Sequence, residues 1–433
     1  MSDPAAHVYV DLDGVPRLVG RLFATTSRGR EGAAFIYDPG GISAPDRVAL
    51  EPALMLSAAP HYTQPGRALC GALGDSAPDR WGQTLLRRHE RRCAKAEGRA
   101  ARTLREVDFL LGISDTLRQG ALRFAVTEGG PFVAPDRPIG VPPLVELPRL
   151  LGATERFLAD NESAEDLRLL LAPGSSLGGA RPKASVRDDR GALLIAKFPK
   201  RGDDDYRVVA WEAVALKLAV NAGITVTGHR LEEVAGSDVL LVQRFDRRGG
   251  AHGQTRVPFL SAMSMLGASD GEPRSYPEIA DAIRMHGAAP REDLAELWRR
   301  MVFTLLISNT DDHLRNHGFL YVGGAGWRLS PAYDLNPVPV DIKPRVLSTA
   351  LGVDEDPTAS LAIAFESAEY FGLTATRARA IVAEVGAAVA KWRAVAGRMR
   401  IAPSEIERMA SAFEHDDLAA ARGRRAARAR NDP

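Results

Sequence analysis

A carboxylate and an amide five residues apart, Asp311 and Asn316, stand in the polar stretch Asn309-Thr-Asp-Asp-His-Leu-Arg-Asn316. An apolar run of helical period at 297–307 leads into this stretch, and an apolar strand-like run at 319–322 leaves it. So polar a loop between two apolar elements needs a chemical reason, and phosphoryl transfer supplies one. A carboxylate orients an attacking hydroxyl and accepts its proton, while an amide and a second carboxylate hold a divalent cation against phosphate oxygens. The second carboxylate is at hand in Asp334. It follows a hairpin pattern made of 319–322, the turn Gly323-Gly324-Ala325-Gly326 and 327–329, which delivers Pro331-Ala-Tyr-Asp-Leu335.

Asp311 and Asn316 have the spacing of the protein-kinase sequence H-R-D-x-x-x-x-N, and Asp334 falls where those enzymes carry the metal-binding aspartate of D-F-G. Here the tripeptide is Tyr-Asp-Leu, so the glycine is missing. The upstream half should then supply a phosphate cradle, a lysine and a carboxylate partner for it. Gly174-Ser175-Ser176-Leu177-Gly178-Gly179 is a Gly/Ser loop, followed by short strands at 183–186 and 192–198. Lys197 closes the second strand, where it can reach nucleotide phosphates. Glu212 lies on the next helical run, 206–222, which stops at Gly223. After the apolar strand 239–242, Gln243-Arg-Phe-Asp246 reads as a hinge, with Gln243 and Phe245 beside the adenine. Loop, strands, lysine, helix and glutamate follow the order of a kinase N-lobe.

The remaining elements must position these groups. Residues 7–12 alternate, Asp13-Gly14 is a tight-turn pair and 18–23 returns, which predicts a hairpin. A further strand is expected at 35–37, and a helix over 80–94 with Trp81, Leu85, Leu86 and His89 at helical spacing. Prolines 131, 135, 138, 142, 143 and 148 mark a connector that cannot be a long helix. Beyond Phe245 the pattern is mostly helical, and five arginines (422, 424, 425, 428 and 430) crowd the tail. The expected division is an N-terminal subdomain over 1–130, a connector 131–150, an N-lobe 151–247, a helical C-lobe 248–420 and a basic tail 421–433. The fold class is α+β: a two-lobed protein-kinase-like fold with an additional N-terminal β-rich subdomain.

Bulk properties exclude little. A formal charge of +1 gives no general attraction to nucleic acid or to an anionic membrane, so any basic surface is local. Two cysteines without a CxxC pair fit a reducing compartment. No signal peptide is read at the start, and no apolar run approaches the roughly 18 residues of a membrane span. A cytoplasmic protein with no membrane partner is the expectation.

The chain resembles the HipA family of bacterial toxin kinases over nearly its whole length. Five separated motifs, or groups of motifs, carry the likeness. They are Gly74-Asp-Ser-Ala-Pro-Asp-Arg-Trp-Gly82 with Gly120-Ala-Leu-Arg-Phe124; Ser176-x-x-Gly-Ala-Arg-Pro-Lys183; Gln243-Arg-Phe-Asp-Arg247; Asn309-Thr-Asp-Asp-His-Leu-Arg-Asn316; and Pro331-Ala-Tyr-Asp-Leu335. Departures are Arg181 where Gln is common, Arg315 where Lys is usual, and a segment at 258–262 without the family's acidic and amide residues.

The resemblance implies Asp311 as catalytic base, His313 as support for the loop, and Asn316 and Asp334 as Mg²⁺ ligands. ATP would be held by Lys197, Ser176, Gly178, Gly179, Gln243 and Phe245, with Glu212 paired to the lysine. It further implies inhibitory autophosphorylation at Ser176, and a serine/threonine kinase of a toxin–antitoxin system linked to persistence. The expected protein substrate is an aminoacyl-tRNA synthetase, and the expected partner is a HipB-like helix-turn-helix antitoxin through which DNA is reached only indirectly. Two other readings stay open: a small-molecule kinase on the same fold, and a non-catalytic nucleotide-dependent regulator of a DNA-binding partner.

Overall fold

The structure is a computed structural model that describes residues 3–27, 29–133, 140–171, 179–200, 205–249, 254–354 and 356–423. Ser176 and Gly178 lie outside the described residues, as does the arginine-rich tail from 424. The chain forms two compact units. The first comprises Met1–Asp204, Glu232–Asp270 and Phe319–Gly324, and the second Asp205–Leu231, Gly271–Gly318 and Ala325–Pro433.

The first unit begins with the expected hairpin, longer than the alternation alone suggested. β1 (Ala6–Leu12) and β2 (Val15–Ser27) pair antiparallel around Asp13-Gly14, and β3 (Arg30–Tyr37) continues the meander. With β4 (His61–Tyr62) and β5 (Leu122–Ala125) the sheet order is β4-β3-β2-β1-β5. A second antiparallel sheet holds β6 (Lys183–Arg187), β7 (Leu193–Lys197) and β9 (Ser237–Gln243), in the order β6-β7-β9. At its far edge runs β8 (His229–Val234), whose residues from Glu232 onward belong to this unit. β8 has a polar composition, which explains why no apolar pattern announced it.

The helix Arg80–Ala96 and the helices Leu147–Leu158 and Ala164–Leu171 bury Trp81, Leu85, Leu150, Phe157 and Leu170 against Ala184, Val186, Ala196, Val239 and Leu241 of that sheet. The sequence motif at 74–82 is the joint. Asp79 caps the helix Arg80–Ala96 through the Gly82 N–H at 2.9 Å and pairs with the Lys183 ammonium at 2.7 Å, both side chains being almost fully buried. Trp81 Nε1 donates to the Lys183 carbonyl at 2.9 Å, so this helix and β6 are locked together. Asp75 accepts from the Ser261 N–H at 2.7 Å and hydroxyl at 2.8 Å, which fixes the segment that departs from the family pattern at 258–262.

A second buried acid joins two further motifs. Asp246, with 0% of its side chain exposed, accepts from Arg244 Nη2 at 2.6 Å, Arg247 Nη1 at 2.8 Å and the Gly120 N–H at 2.8 Å. Gly120 sits at φ +72°, and a Cβ there would meet the Phe259 nitrogen at 3.2 Å, so only glycine fits comfortably. Burial works against the Asp246 charge, but the two guanidiniums overcome it and hold the carboxyl well below the usual range.

The second unit is helical. Its longest element, Pro290–Leu306, has a nearly unbroken buried run from Leu297 to Leu306 and packs on the helices Tyr276–His286 and Ala375–Val389. The helix Val208–Asn221 is apolar almost all round, and its contacts place it with this unit. Trp211 is the reason: it meets Trp392 at 6.1 Å and Phe413 at 6.0 Å, and its Nε1 donates to Glu405 at 2.9 Å. No described helix is long and apolar enough to cross a membrane.

Glu51 gives the first unit a titratable anchor. It accepts from the Ala72 N–H, opening the helix Gly71–Asp75, and burial together with the charge of Asp75 pushes its carboxyl up to about 7. The folded value lies above the unfolded one of about 4.3, so the folded chain holds this proton more tightly. Its stabilising contribution is complete below about pH 4.3 and is lost as the pH rises through about 7. Glu51→Gln keeps the acceptor and removes the ionisation. Urea denaturation should find the variant more stable, relative to wild type, at about pH 8 than at about pH 5, by on the order of 2 kcal/mol. A difference that does not change with pH would refute the assignment.

Candidate active site

The helix Pro290–Leu306 ends in a loop whose backbone turns sharply: Ser308 takes φ +52°, and the Asn309 N–H reaches back to the Thr304 carbonyl at 3.0 Å. Asp312 fixes the loop from inside. It is 3% exposed, its carboxylate accepts from the Tyr276 hydroxyl and from His317 Nε2 at 3.1 Å, and its own carbonyl accepts from Thr349 Oγ1 at 2.6 Å. The Tyr276 ring stands edge-on to His317 with centroids 5.2 Å apart. Burial opposes the Asp312 charge, but His317 and the tyrosine hydroxyl more than offset it and the carboxyl lies below its ordinary value. Burial beside that carboxylate holds the Tyr276 phenol well above its usual range, so it stays a donor.

Further braces come from the segment after Val338. Lys343 Nζ and Ser348 Oγ both donate to the Thr310 carbonyl, at 3.0 and 2.9 Å. Asp311, by contrast, points to solvent with 71% of its side chain exposed, and Lys343 Nζ approaches it only to 4.0 Å. The loop thus separates two adjacent aspartates into a buried anchor and an accessible carboxylate. The Ser308 and Thr310 hydroxyls and both amide atoms of Asn309 are buried without a hydrogen-bond partner among the described residues. Such groups cost about 1–3 kcal/mol each when water does not satisfy them.

Asn316 ends the short turn Leu314–Asn316 and is buried. Its Nδ2 donates to the Asp311 carbonyl at 3.1 Å, which turns the amide so that its oxygen is the end left to act as a ligand. Asp334 is drawn to the same turn: the Tyr333 hydroxyl donates to the carbonyl of Arg315, next to Asn316, at 2.7 Å. Asp334 adopts φ +58°, a left-handed conformation uncommon outside glycine. Asn336 Nδ2 donates to Asp334 Oδ1 at 3.3 Å, and the Val338 N–H donates to the Ser308 carbonyl at 3.2 Å, which closes the ring of contacts. His313 caps the turn through its carbonyl, bonded to the Asn316 N–H at 2.8 Å, while its ring Nδ1 meets no partner among the described residues.

One carboxylate and one amide oxygen suit a hard cation such as Mg²⁺, which keeps several waters and takes its remaining ligands from substrate phosphates. Among the described residues no group of three or more His, Cys, Asp or Glu forms a denser metal cluster.

The other candidates lie in the first unit, apart from Glu212. Lys197 is the last residue of β7, in register with Lys183 on β6 and Leu240 on β9. Gly179, at φ +104°, opens the described chain beyond the Gly/Ser loop, and its carbonyl lies 3.5 Å from Lys183 Nζ. Gln243 ends β9, and Phe245 packs its ring against Phe259 with centroids 6.1 Å apart. Glu212 is buried on the helix Val208–Asn221 of the second unit. Sequence reading missed Tyr276, Thr349 and Lys343, which act through single hydrogen bonds from distant segments and have no motif of their own. Asp312 stood inside the motif but was given no role; its place beside Asp311 was the available signal.

The fold is α+β and protein-kinase-like, with an added N-terminal β-rich subdomain, and its polar loop carries an exposed carboxylate beside an oriented amide. The family model of the HipA-like C-terminal domain matches residues 175–392, half of the chain, and the protein belongs to that family. Among solved structures it is similar to HipA of Shewanella oneidensis MR-1, described in complex with HipB and its operator DNA, with a TM-score of 0.65 over 97% of each chain and 16% identity. A Haemophilus influenzae protein named "Putative kinase" is 26% identical over 225 residues, which are 46% of this chain and 64% of that one. The "Putative kinase Y4mE" of Sinorhizobium fredii is 29% identical over 149 residues, 33% of each chain. The matched regions thus span less than two thirds of either relative.

The Asp312 anchor is open to a direct test. Tyr276→Phe deletes one donor to a buried carboxylate and should lower unfolding free energy by about 1–3 kcal/mol. Asp312→Asn, which leaves Tyr276 and His317 without their ionic partner, should cost more, about 3–5 kcal/mol. Denaturant titration of both variants checks this; losses below about 0.5 kcal/mol, as at an ordinary surface position, would dismiss the anchor.

Proposed function

We propose that this protein is a Mg-ATP-dependent serine/threonine kinase of the HipA toxin type, which transfers the γ-phosphoryl group of ATP to a hydroxyl of a protein. The observation that carries the reading is the pairing of an exposed Asp311 with an Asn316 amide turned by the Asp311 carbonyl, on a loop tied to the Asp334 segment through Tyr333. Asp311 orients the acceptor hydroxyl and takes its proton as the new oxygen–phosphorus bond forms. The bond between the γ-phosphorus and its bridging oxygen breaks, and ADP leaves with the electron pair. Asn316 and Asp334 would supply oxygen ligands for Mg²⁺, which when bound would neutralise charge on the phosphates. Lys197, with Glu212 as its partner, would hold the phosphates, and Gln243 and Phe245 would border the adenine. His313 supports the loop through the turn it caps.

Membership of the HipA-like family and relatives named as kinases support the reaction class. The partner we infer is a DNA-binding antitoxin of the HipB kind, which the Shewanella protein's complex with HipB and operator DNA favours. Ser176 is the proposed site of inhibitory autophosphorylation. A phosphoserine of about −1.5 to −2 charge beside groups built for ATP phosphates competes with them for the same ligands. The family resemblance favours an aminoacyl-tRNA synthetase as substrate and a cytoplasmic location.

Incubation of purified protein with Mg-ATP, followed by phosphosite mapping with mass spectrometry, tests the proposal. Wild type should acquire phosphate on Ser176, and Asp311→Ala should slow this by about 100- to 10,000-fold, the usual worth of a general base. Because Asp311 is exposed, the variant should unfold within about 0.5 kcal/mol of wild type. Bound ATP without phosphate on any residue of the wild type would favour a nucleotide-dependent regulator instead.

A further inference from the structure

A cavity of about 480 Å³ opens in the first unit, whereas the Asp311 loop belongs to the second. Its walls come from the β1–β2 turn, the loop around Arg47, the tip of the chain at Val322–Gly324, and a short ribbon. In the ribbon Arg247–Arg248 pairs with Thr255–Arg256. Four arginines line it, Arg17, Arg47, Arg248 and Arg256, against two aspartates, Asp13 and Asp46. Asp46 is engaged by Arg17. Neither Arg47 nor Arg248 forms a side-chain ion pair with any described residue.

Arg256 forms the floor. Its side chain is 8% exposed, and its Nη2 donates to the Asp115 carboxylate at 2.7 Å and to the Asp115 carbonyl at 2.8 Å. Its Nη1 meets no acceptor among the described residues. Asp115 is shared with Arg123, which binds it at 2.7 Å and also pairs with Asp11 at 3.2 Å. Behind the floor arginines outnumber acids. Burial pushes the guanidinium of Arg118 down to about 9 and that of Arg247 to about 9, and Asp246 must serve both Arg244 and Arg247. A buried cation that lines the cavity and keeps an unused donor is costly unless an anion completes it.

We propose that this cavity binds a phosphate-bearing small molecule, with oxyanions held by Arg256 on the floor and by Arg248 and Arg47 at the mouth. The planar guanidinium fork matches phosphate oxygens in pairs. Arginines from three separate chain segments can satisfy several oxyanions at once, more than a single carboxylate offers. The volume falls in the usual range for small-molecule pockets, about 300–1,000 Å³, and accommodates an oligophosphate or the phosphate end of a nucleotide. At the rim, Gly323 and Gly324 have open space where a Cβ would stand, so a ligand can approach the backbone closely.

The probe is sodium tripolyphosphate, titrated calorimetrically into the full chain at low salt. Lys197→Met serves as background, so that binding at the ATP site is separated from binding in the cavity. Wild type and Lys197→Met should both bind. Arg47→Met with Arg248→Met should weaken binding by at least about tenfold; both side chains are exposed, so the double variant is expected to fold. Arg256→Met should abolish binding, with circular dichroism confirming the fold. Loss of binding in Lys197→Met, unchanged affinity in the double arginine variant, or no heat at concentrations on the order of 1 mM would each overturn the proposal. So would equal competition by poly-glutamate, which would assign the cavity to an acidic protein segment.

Discussion

The loop that carries Asp311 and Asn316 depends on the buried carboxylate of Asp312. Asp312 lies inside the second unit, where the Tyr276 hydroxyl and His317 satisfy its oxygens and Thr349 holds its backbone. A charge in that position is expensive to bury, and its partners must come from three separate parts of the chain. The gain is positional. With Asp312 fixed, its neighbour Asp311 can only face outward, and the turn that follows places Asn316 beneath the Asp311 carbonyl. A loop with a left-handed Ser308, and with several buried polar atoms that meet no partner among the described residues, needs such a pin.

The first unit repeats the device. Asp79 pairs with Lys183 and caps a helix, Asp75 fixes Ser261, and Asp246 gathers Arg244, Arg247 and the Gly120 N–H. Each joins two stretches far apart in sequence; the Asp79 and Asp246 side chains are nearly or fully removed from water, and Asp75 is half-buried. Replaced by apolar groups of the same shape, such pairs are often no loss to stability. What they supply is register, because a misplaced buried charge costs several kcal/mol whereas a misplaced leucine costs little. The strands around Lys197 and the chain at Gly179 are therefore located by charge, while Trp81, Phe157 and their neighbours supply the bulk of the burial.

This division explains how much could be read from the sequence. Elements with strong periodicity were legible: the hairpin at β1 and β2, the helix at Arg80–Ala96, and the strands ending at Lys197 and Gln243. Their ends were less so. The helix before the Asp311 loop begins at Pro290 rather than near 297, because its first turns are polar and capped by proline at the start. β8 escaped notice because Glu232 and Glu233 interrupt any apolar pattern. At the site, Asp311, Asn316 and Asp334 stood out through type and spacing, since phosphoryl transfer constrains both. Tyr276, Thr349 and Lys343 did not, because a single hydrogen bond to a backbone or a carboxylate leaves no spacing rule behind. The helix with Glu212 shows a further limit. Its apolar surface announces burial on all sides, yet only the Trp211–Trp392–Phe413 cluster tells which unit it packs with.

A fold can therefore match another along nearly its full length at 16% identity and still be recognised from a few short segments. Core positions accept many combinations of similar total volume, so most of the sequence is loosely specified by the fold. Buried ion pairs accept very few, because the partner, the geometry and the surrounding hydrogen bonds must all change together. Four of the motif groups read here contain such a pair or a residue beside one: Asp79, Lys183, Asp246 with Gly120, and Asp311 beside Asp312. In the fifth, Asp334 takes a left-handed backbone, and the hydroxyl of its neighbour Tyr333 grips the turn that presents Asn316. What made the chemistry visible in the sequence is thus the same thing that makes the loop rigid: polar groups whose positions the rest of the chain cannot alter one at a time.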